Sequence, residues 1–113
     1  MIILSHRGFW KTSKEKNSIK AFKRALSSGF GVELDLRDYN GSLVVSHDIP
    51  KDNSTLFEYI LIVYNECSGI LPLAVNIKSD GLLKELKRLI RKYNINNYFI
   101  FDMSIPEMLR YNN

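Results

Sequence analysis

The chain has 113 residues, of which 45% are hydrophobic and 25% are charged, as in one ordinary soluble globular domain and unlike a disordered chain. Lysine and arginine number 16 against 12 aspartates and glutamates, and this net charge of +4 is compatible with an anionic partner. The single cysteine, Cys67, excludes an internal disulfide framework.

The apolar runs are too short for export or for a membrane span. Residues 1–4 are apolar but break at Ser5-His6-Arg7, and the run 60–64 is flanked by Glu58 and Glu66. We therefore expect a cytoplasmic protein without a transmembrane segment.

Short β-branched runs alternate with segments of helical periodicity, a pattern that predicts βαβ units. The predicted strands are residues 2–4, 32–36, 43–46, 71–77 and 98–101. The first predicted helix is capped by Asn17 or Ser18 and ends before Gly29. Its core face consists of Ile19, Phe22, Ala25 and Leu26.

Further along the chain, turn and cap residues mark the next elements. Asn40-Gly41 predicts a tight hairpin between the second and third strands. The second helix is predicted to begin at Thr55, with Glu58 completing a capping box, and the third follows Asp80. A last helical turn is predicted to begin at Ser104.

Strand alternation places polar side chains together. In the strand 32–36 the apolar residues face the helices, so Glu33 and Asp35 share the other face, with Cα atoms about 6.6 Å apart. Asn76 and Lys78 take the same face of their strand. We expect these four side chains to meet at one end of a closed parallel sheet.

Two neighbouring carboxylates repel each other unless a cation lies between them. A hard divalent ion bound by oxygen ligands satisfies Glu33 and Asp35. The alternative for this pair alone is a surface strand with both acids in water.

Both histidines stand at predicted strand ends. His6 precedes Arg7, whose guanidinium can bond two phosphate oxygens, and His47 precedes Asp48. A lone histidine is more often structural, but two beside acids and an arginine favour acid/base chemistry. One imidazole would take a proton from a hydroxyl or water, and the other would protonate the leaving oxygen of a phosphodiester.

The stretch from Ser5 to Asp48 resembles the N-terminal signature of the glycerophosphodiester phosphodiesterase family, within the superfamily of phospholipase C-like barrel phosphodiesterases. The shared motifs are His-Arg-Gly, Asn-Thr/Ser before an Ala-Phe helix, Glu-Leu-Asp and Val-Val-x-His-Asp. A weaker match continues to Asn76-Ile77-Lys78.

This resemblance implies a TIM-type (β/α)₈ barrel and a hydrolase of glycerophosphodiesters or related phosphodiesters in lipid metabolism, with Mg²⁺ or Ca²⁺ as cofactor. It implies that His6 and His47 are the catalytic pair and that Arg7 and Lys78 bind substrate. The implied metal ligands are Glu33, Asp35 and Asn76.

The chain departs from the family at three points. Asn76 stands where a third carboxylate is usual, which lowers the expected metal affinity, and Lys16 stands where glutamate is usual. A (β/α)₈ barrel needs about 250 residues. Residues 1–113 are therefore expected to form one partial domain, the N-terminal half of such a barrel with about four β/α units and a hairpin arm.

A half-barrel has open sheet edges, which predicts either a missing second half or a homo-oligomer. The favoured function is a phosphodiesterase that acts on small molecules. The alternative is a truncated, catalytically impaired half-barrel that binds a phosphorylated headgroup or sugar without turnover. Nucleic-acid binding is suggested only by the pI of about 9.2, without a recognisable motif, and is not expected.

Overall fold

The computed structural model describes residues 4–8, 10–12, 14, 16–67 and 69–101. Within these residues the strands are β1 (Leu4–His6), β2 (Gly31–Tyr39), β3 (Ser42–Val45), β4 (Thr55–Leu56), β5 (Leu73–Ile77) and β6 (Tyr98–Phe101). The helices are α1 (Ile19–Ser27), α2 (Phe57–Cys67) and α3 (Leu83–Lys92).

Strand β2 organises the sheet. Its first residues pair in parallel with β1, and its last residues pair with the antiparallel β3 on the same edge. Its other edge pairs in parallel with β5, which pairs in parallel with β6. The sheet therefore has the parallel order β1-β2-β5-β6 with a β3-β4 arm, and the predicted mixed α/β fold is confirmed.

The core lies between one face of this sheet and the helices. The apolar residues of β2 and β5 form it with the buried faces of the helices. The sheet contributes Val32, Leu34, Leu36, Leu73, Val75 and Ile77. Helix α1 contributes Phe22, Ala25 and Leu26, largely the face that its periodicity predicts, while Ile19 packs at the margin.

The predicted hairpin forms at Asn40-Gly41. Both residues have positive φ, 50° and 81°, as a two-residue type I′ turn requires. Tyr39 and Ser42 face each other across this turn. The turn fixes the register of β3 against β2, which matters because His47 follows β3.

Some predicted boundaries are wrong. Helix α2 begins at Phe57 instead of Thr55, because Thr55 and Leu56 pair with β3 as strand β4. Strand β5 begins at Leu73, directly after a proline that has no N–H for the ladder. Strand β1 extends to His6, while residues 2 and 3 and the predicted turn at Ser104 lie outside the described residues.

None of the described helices is both long and apolar enough to cross a bilayer. The longest of them, α2, has 11 residues.

Leu34→Ala should lower the free energy of unfolding by about 2–5 kcal/mol, because it empties volume in the core. The Leu34 side chain is fully buried. Urea denaturation followed by circular dichroism measures the change. Ile70→Ala is the control, because Ile70 is 75% exposed; an equal loss in both variants would contradict the assigned core.

Candidate active site

Three polar residues are buried on the sheet face opposite the core. Glu33, Asp35 and Asn76 are exposed by 8%, 0% and 7% respectively. Asp35 and Asn76 are direct neighbours across the β2–β5 pairing. This is the placement that strand alternation predicts, and burial of two carboxylates requires compensating partners.

Asp35 is compensated by two cations and an amide. The Arg7 Nε atom lies 2.9 Å from Asp35 Oδ2, and the Lys78 Nζ atom lies 3.9 Å from Asp35 Oδ1. The Arg7 contact is an ion pair without hydrogen-bond geometry, since Nε has no hydrogen-bond partner. The Asn17 side-chain amide donates a hydrogen bond of 2.9 Å to Asp35 Oδ2.

Glu33 faces the first histidine. Its Oε2 atom lies 3.4 Å from His6 Nε2 and accepts a hydrogen bond of 3.2 Å from the Arg7 backbone N–H. Burial raises the pKa of Glu33 above its ordinary value of 4.5, and the charge of Asp35 raises it further. His6, Arg7 and Asn76 oppose this increase in the pKa of Glu33. Glu33 therefore gains protons more readily in the folded chain than in the unfolded chain.

The loop from β1 to α1 brings Arg7 and Asn17 to Asp35. Both residues have positive φ, 57° and 59°, a conformation that costs energy and occurs at functional sites. The Asn17 backbone N–H donates to the Arg7 carbonyl at 2.9 Å. Gly8 (φ 85°) completes the turn, and a Cβ there would lie 2.8 Å from Ala21 Cβ. This close approach explains the glycine after His6-Arg7.

The second histidine is held near the cluster by backbone contacts. The Ser46 N–H donates to the Asp35 carbonyl at 2.9 Å. The Arg37 guanidinium donates to the His47 carbonyl from Nε at 3.1 Å and from Nη2 at 2.7 Å. The His47 Nδ1 atom lies 3.0 Å from Asp48 Oδ1, a contact that lowers the pKa of Asp48.

A cavity of about 710 Å³ opens between the β1–α1 loop and residues 45–55. Of the predicted site residues, Arg7 and His47 line it. His6, Glu33, Asp35, Asn76 and Lys78 belong to the adjoining polar cluster on the sheet. Arg7 and Asn17 both line the cavity and contact Asp35, so they join the cavity to the cluster.

The sequence did not predict that three further residues contact the site. Asn17 was a candidate helix cap, but Ser18 is the cap, with Oγ accepting from the Ala21 N–H at 3.1 Å. The contacts of Arg37 and Trp10 with the histidine carbonyls were not predicted either. The Trp10 Nε1–H donates to the His6 carbonyl at 3.1 Å. The Asn-Ser pair before the helix is a sequence pattern that could have indicated Asn17 as a site residue. No comparable pattern marks Arg37 or Trp10.

The cluster has oxygen donors suited to a hard divalent cation. Asp35 Oδ1 and Asn76 Oδ1 are buried without a hydrogen-bond partner, and the Glu33 carboxylate shares their face. Across the described part of the chain, no three His, Cys, Asp or Glu side chains are arranged to hold a metal ion. A cation at this cluster would therefore meet two carboxylates and one amide.

The comparisons with known proteins give a fold relationship. No family model matches the chain, and no curated protein matches it. The structure is similar to glycerophosphodiester phosphodiesterase from Agrobacterium tumefaciens str. C58, with a TM-score of 0.77 at 19% sequence identity. The similarity covers 96% of this chain and 61% of that chain. At this identity the match shows a shared α/β fold over part of the neighbour's length.

Relative to the wild type, Glu33→Gln should stabilise the chain increasingly as the pH rises from 4.5 through the raised pKa of Glu33. Burial raises the pKa of Glu33, so the protonated carboxyl favours folding below its ordinary pKa of 4.5, and this contribution is lost as the pH rises through the raised pKa. Urea denaturation at several pH values, with chelator present, measures the difference from the wild type.

The matched control is Glu66→Gln, which makes the same change at an exposed position of α2. A pH-independent difference between the wild type and Glu33→Gln would contradict the assigned burial of Glu33.

Proposed function

We propose that the chain is a metal-dependent phosphoric diester hydrolase acting on glycerophosphodiesters or related small molecules by histidine acid/base catalysis. The observation that carries the proposal is the cluster around Asp35. It gathers Arg7, Lys78 and Glu33, with His6 at Glu33 and the His47 loop bonded to the Asp35 backbone.

Arg7 is the proposed contact to the scissile phosphate. Its ion pair with the fully buried Asp35 fixes the guanidinium, and the same residue lines the cavity. An arginine oriented in this way meets a phosphate without losing side-chain freedom on binding. Lys78, on the other side of Asp35, adds a second positive charge against the negative charge that builds on the phosphoryl oxygens.

The two histidines are the proposed acid and base. The Glu33 carboxylate beside His6 stabilises an imidazolium, and Asp48 engages Nδ1 of His47, which leaves its Nε2 for the substrate. One imidazole takes the proton of the attacking oxygen as its bond to phosphorus forms, and the other protonates the leaving oxygen. Attack by water gives hydrolysis, and attack by a neighbouring substrate hydroxyl gives a cyclic phosphate.

Glu33, Asp35 and Asn76 are the proposed ligands of Mg²⁺ or Ca²⁺. When bound, such an ion supplies positive charge that stabilises the phosphoryl oxygens. Asn76 contributes oxygen without charge, and Arg7 and Lys78 already offset part of the negative charge of the cluster. We therefore propose weak binding of the metal.

The proposed architecture is the N-terminal half of a TIM-type barrel. The parallel order β1-β2-β5-β6 and the coverage of 61% of the neighbouring structure support it. A second half or a second copy of the chain would then complete the pocket wall. A place in lipid metabolism and a cytoplasmic location belong to the same proposal.

The second candidate is a module that binds a phosphorylated headgroup or sugar without turnover. Asn76 in the ligand set favours it. An amide in place of a carboxylate weakens metal binding, but it leaves the proposed phosphate contact of Arg7 unaffected. Binding of a phosphate ester in chelator, together with no hydrolysis when metal is added, would establish this alternative.

His6→Ala and His47→Ala should each lower kcat for a chromogenic phosphodiester by about 100-fold or more, because each removes one proton transfer. Initial rates with and without chelator measure the effect, and chelator should abolish turnover. Lys84→Gln on α3, outside the cavity, is the control and should retain the wild-type rate. Normal turnover in both histidine variants would overturn the proposal.

Asn76→Glu should tighten binding of Ca²⁺ or Mg²⁺ by about tenfold or more, because it adds a third carboxylate to the ligand set. Isothermal titration calorimetry measures the affinity independently of activity. Asn76→Gln separates charge from side-chain length and should bind no more tightly than the wild type. Equal affinities for all three proteins would place the metal elsewhere.

A further inference from the structure

The cavity carries more positive charge than one phosphodiester neutralises. Of the described residues that line it, four have a fixed positive charge, namely Arg7, Lys14, Lys16 and Lys51, and one, Asp48, is a carboxylate. Arg7 already faces Asp35, and Asp48 is engaged by His47. A phosphodiester has a single negative charge, so the three lysines outnumber Asp48 and the diester by one positive charge.

These lysines differ from the basic residues on the helices. Lys92 pairs with Glu58 at 2.7 Å, and Arg88 pairs with Glu85, so those charges are neutralised locally. Within the described ranges, Lys14, Lys16 and Lys51 form no ion pair with an acidic side chain. Unpaired charges of one sign around a concave site raise its potential and attract a ligand of opposite charge.

Lys16 has a defined position relative to the proposed catalytic residues. Its Nζ atom lies 4.4 Å from the centre of the Trp10 ring. Trp10 in turn donates a hydrogen bond to the His6 carbonyl. A cation held over an aromatic ring keeps its charge and loses mobility, as a preorganised anion contact requires.

We propose that the substrate carries a second phosphate group, besides the diester that is cleaved, and that Lys14, Lys16 and Lys51 bind it. This inference rests on the proposed function and names its substrate class, a phosphodiester with an additional phosphomonoester. The cavity volume of about 710 Å³ suits a small molecule. A nucleic acid would need a longer basic track than these three lysines provide.

The test measures binding, so its result is informative even if the chain has no hydrolase activity. Propane-1,3-diol bisphosphate and the corresponding monophosphate are titrated by calorimetry into the full chain in chelator. We expect the bisphosphate to bind about tenfold more tightly, because a second charge-assisted contact forms. Lys16→Gln and Lys51→Gln should each remove most of this preference and leave the monophosphate affinity within about twofold.

Lys84→Gln is the matched control, since it removes the same charge from the α3 surface and should keep the full preference. A wild type without preference for the bisphosphate would overturn the proposal, as would an equal loss in the control and the cavity variants. If oligothymidylate competes with the bisphosphate and binds more tightly, the proposed ligand is wrong and the cavity binds a single-stranded nucleic acid. Failure of hydrolysis alone contradicts the proposed function and leaves this binding result intact.

Discussion

The buried carboxylate of Asp35 is the constraint on which the rest of the site depends. A fully buried charge is tolerated only with partners, and the chain supplies Arg7 and Asn17 from the β1–α1 loop and Lys78 from the end of β5. Satisfying Asp35 therefore ties the β1–α1 loop and the end of β5 to the centre of β2. The same demand explains why Arg7 holds a left-handed backbone conformation, which is costly for its residue type, whereas Asn17 adopts that conformation more readily.

The charges of the site fall into two zones with different physical roles. Around Asp35, acids and bases face each other at short range and largely cancel, which fixes the geometry. The lysines that line the cavity have no acidic partner among the described residues, and their attraction acts on a ligand that enters. In the proposed function, the inner zone would orient the reacting groups, while the lysines would select ligands by charge.

Much of this arrangement could be predicted from local pattern. Alternation in β2 and β5 placed Glu33, Asp35 and Asn76 on one face, and Asn40-Gly41 located the hairpin, because both depend on backbone geometry within a few residues. Thr55 was misassigned because its pairing with β3 is a long-range contact that outweighs a local capping pattern. Two other features likewise depend on distances across the fold. One is the choice between Asn17 and Ser18 as helix cap, and the other is the hydrogen bond from Arg37 to the His47 carbonyl. The metal, the roles of the histidines and the substrate stay predictions.

Strands β1 and β3 occupy the same edge of β2, with β1 pairing up to Glu33 and β3 pairing from Leu36. Asp35 lies in the interval between them, and its backbone groups bond to Asn17 and Ser46 from the two loops that surround the cavity. Strand pairing, the Ser46 N–H and the side-chain oxygen of Asn17 thus fix the backbone of Asp35 in this interval. Such an arrangement favours evolvability, because loop residues that line the cavity can be substituted without disturbing the strand pairing around Asp35.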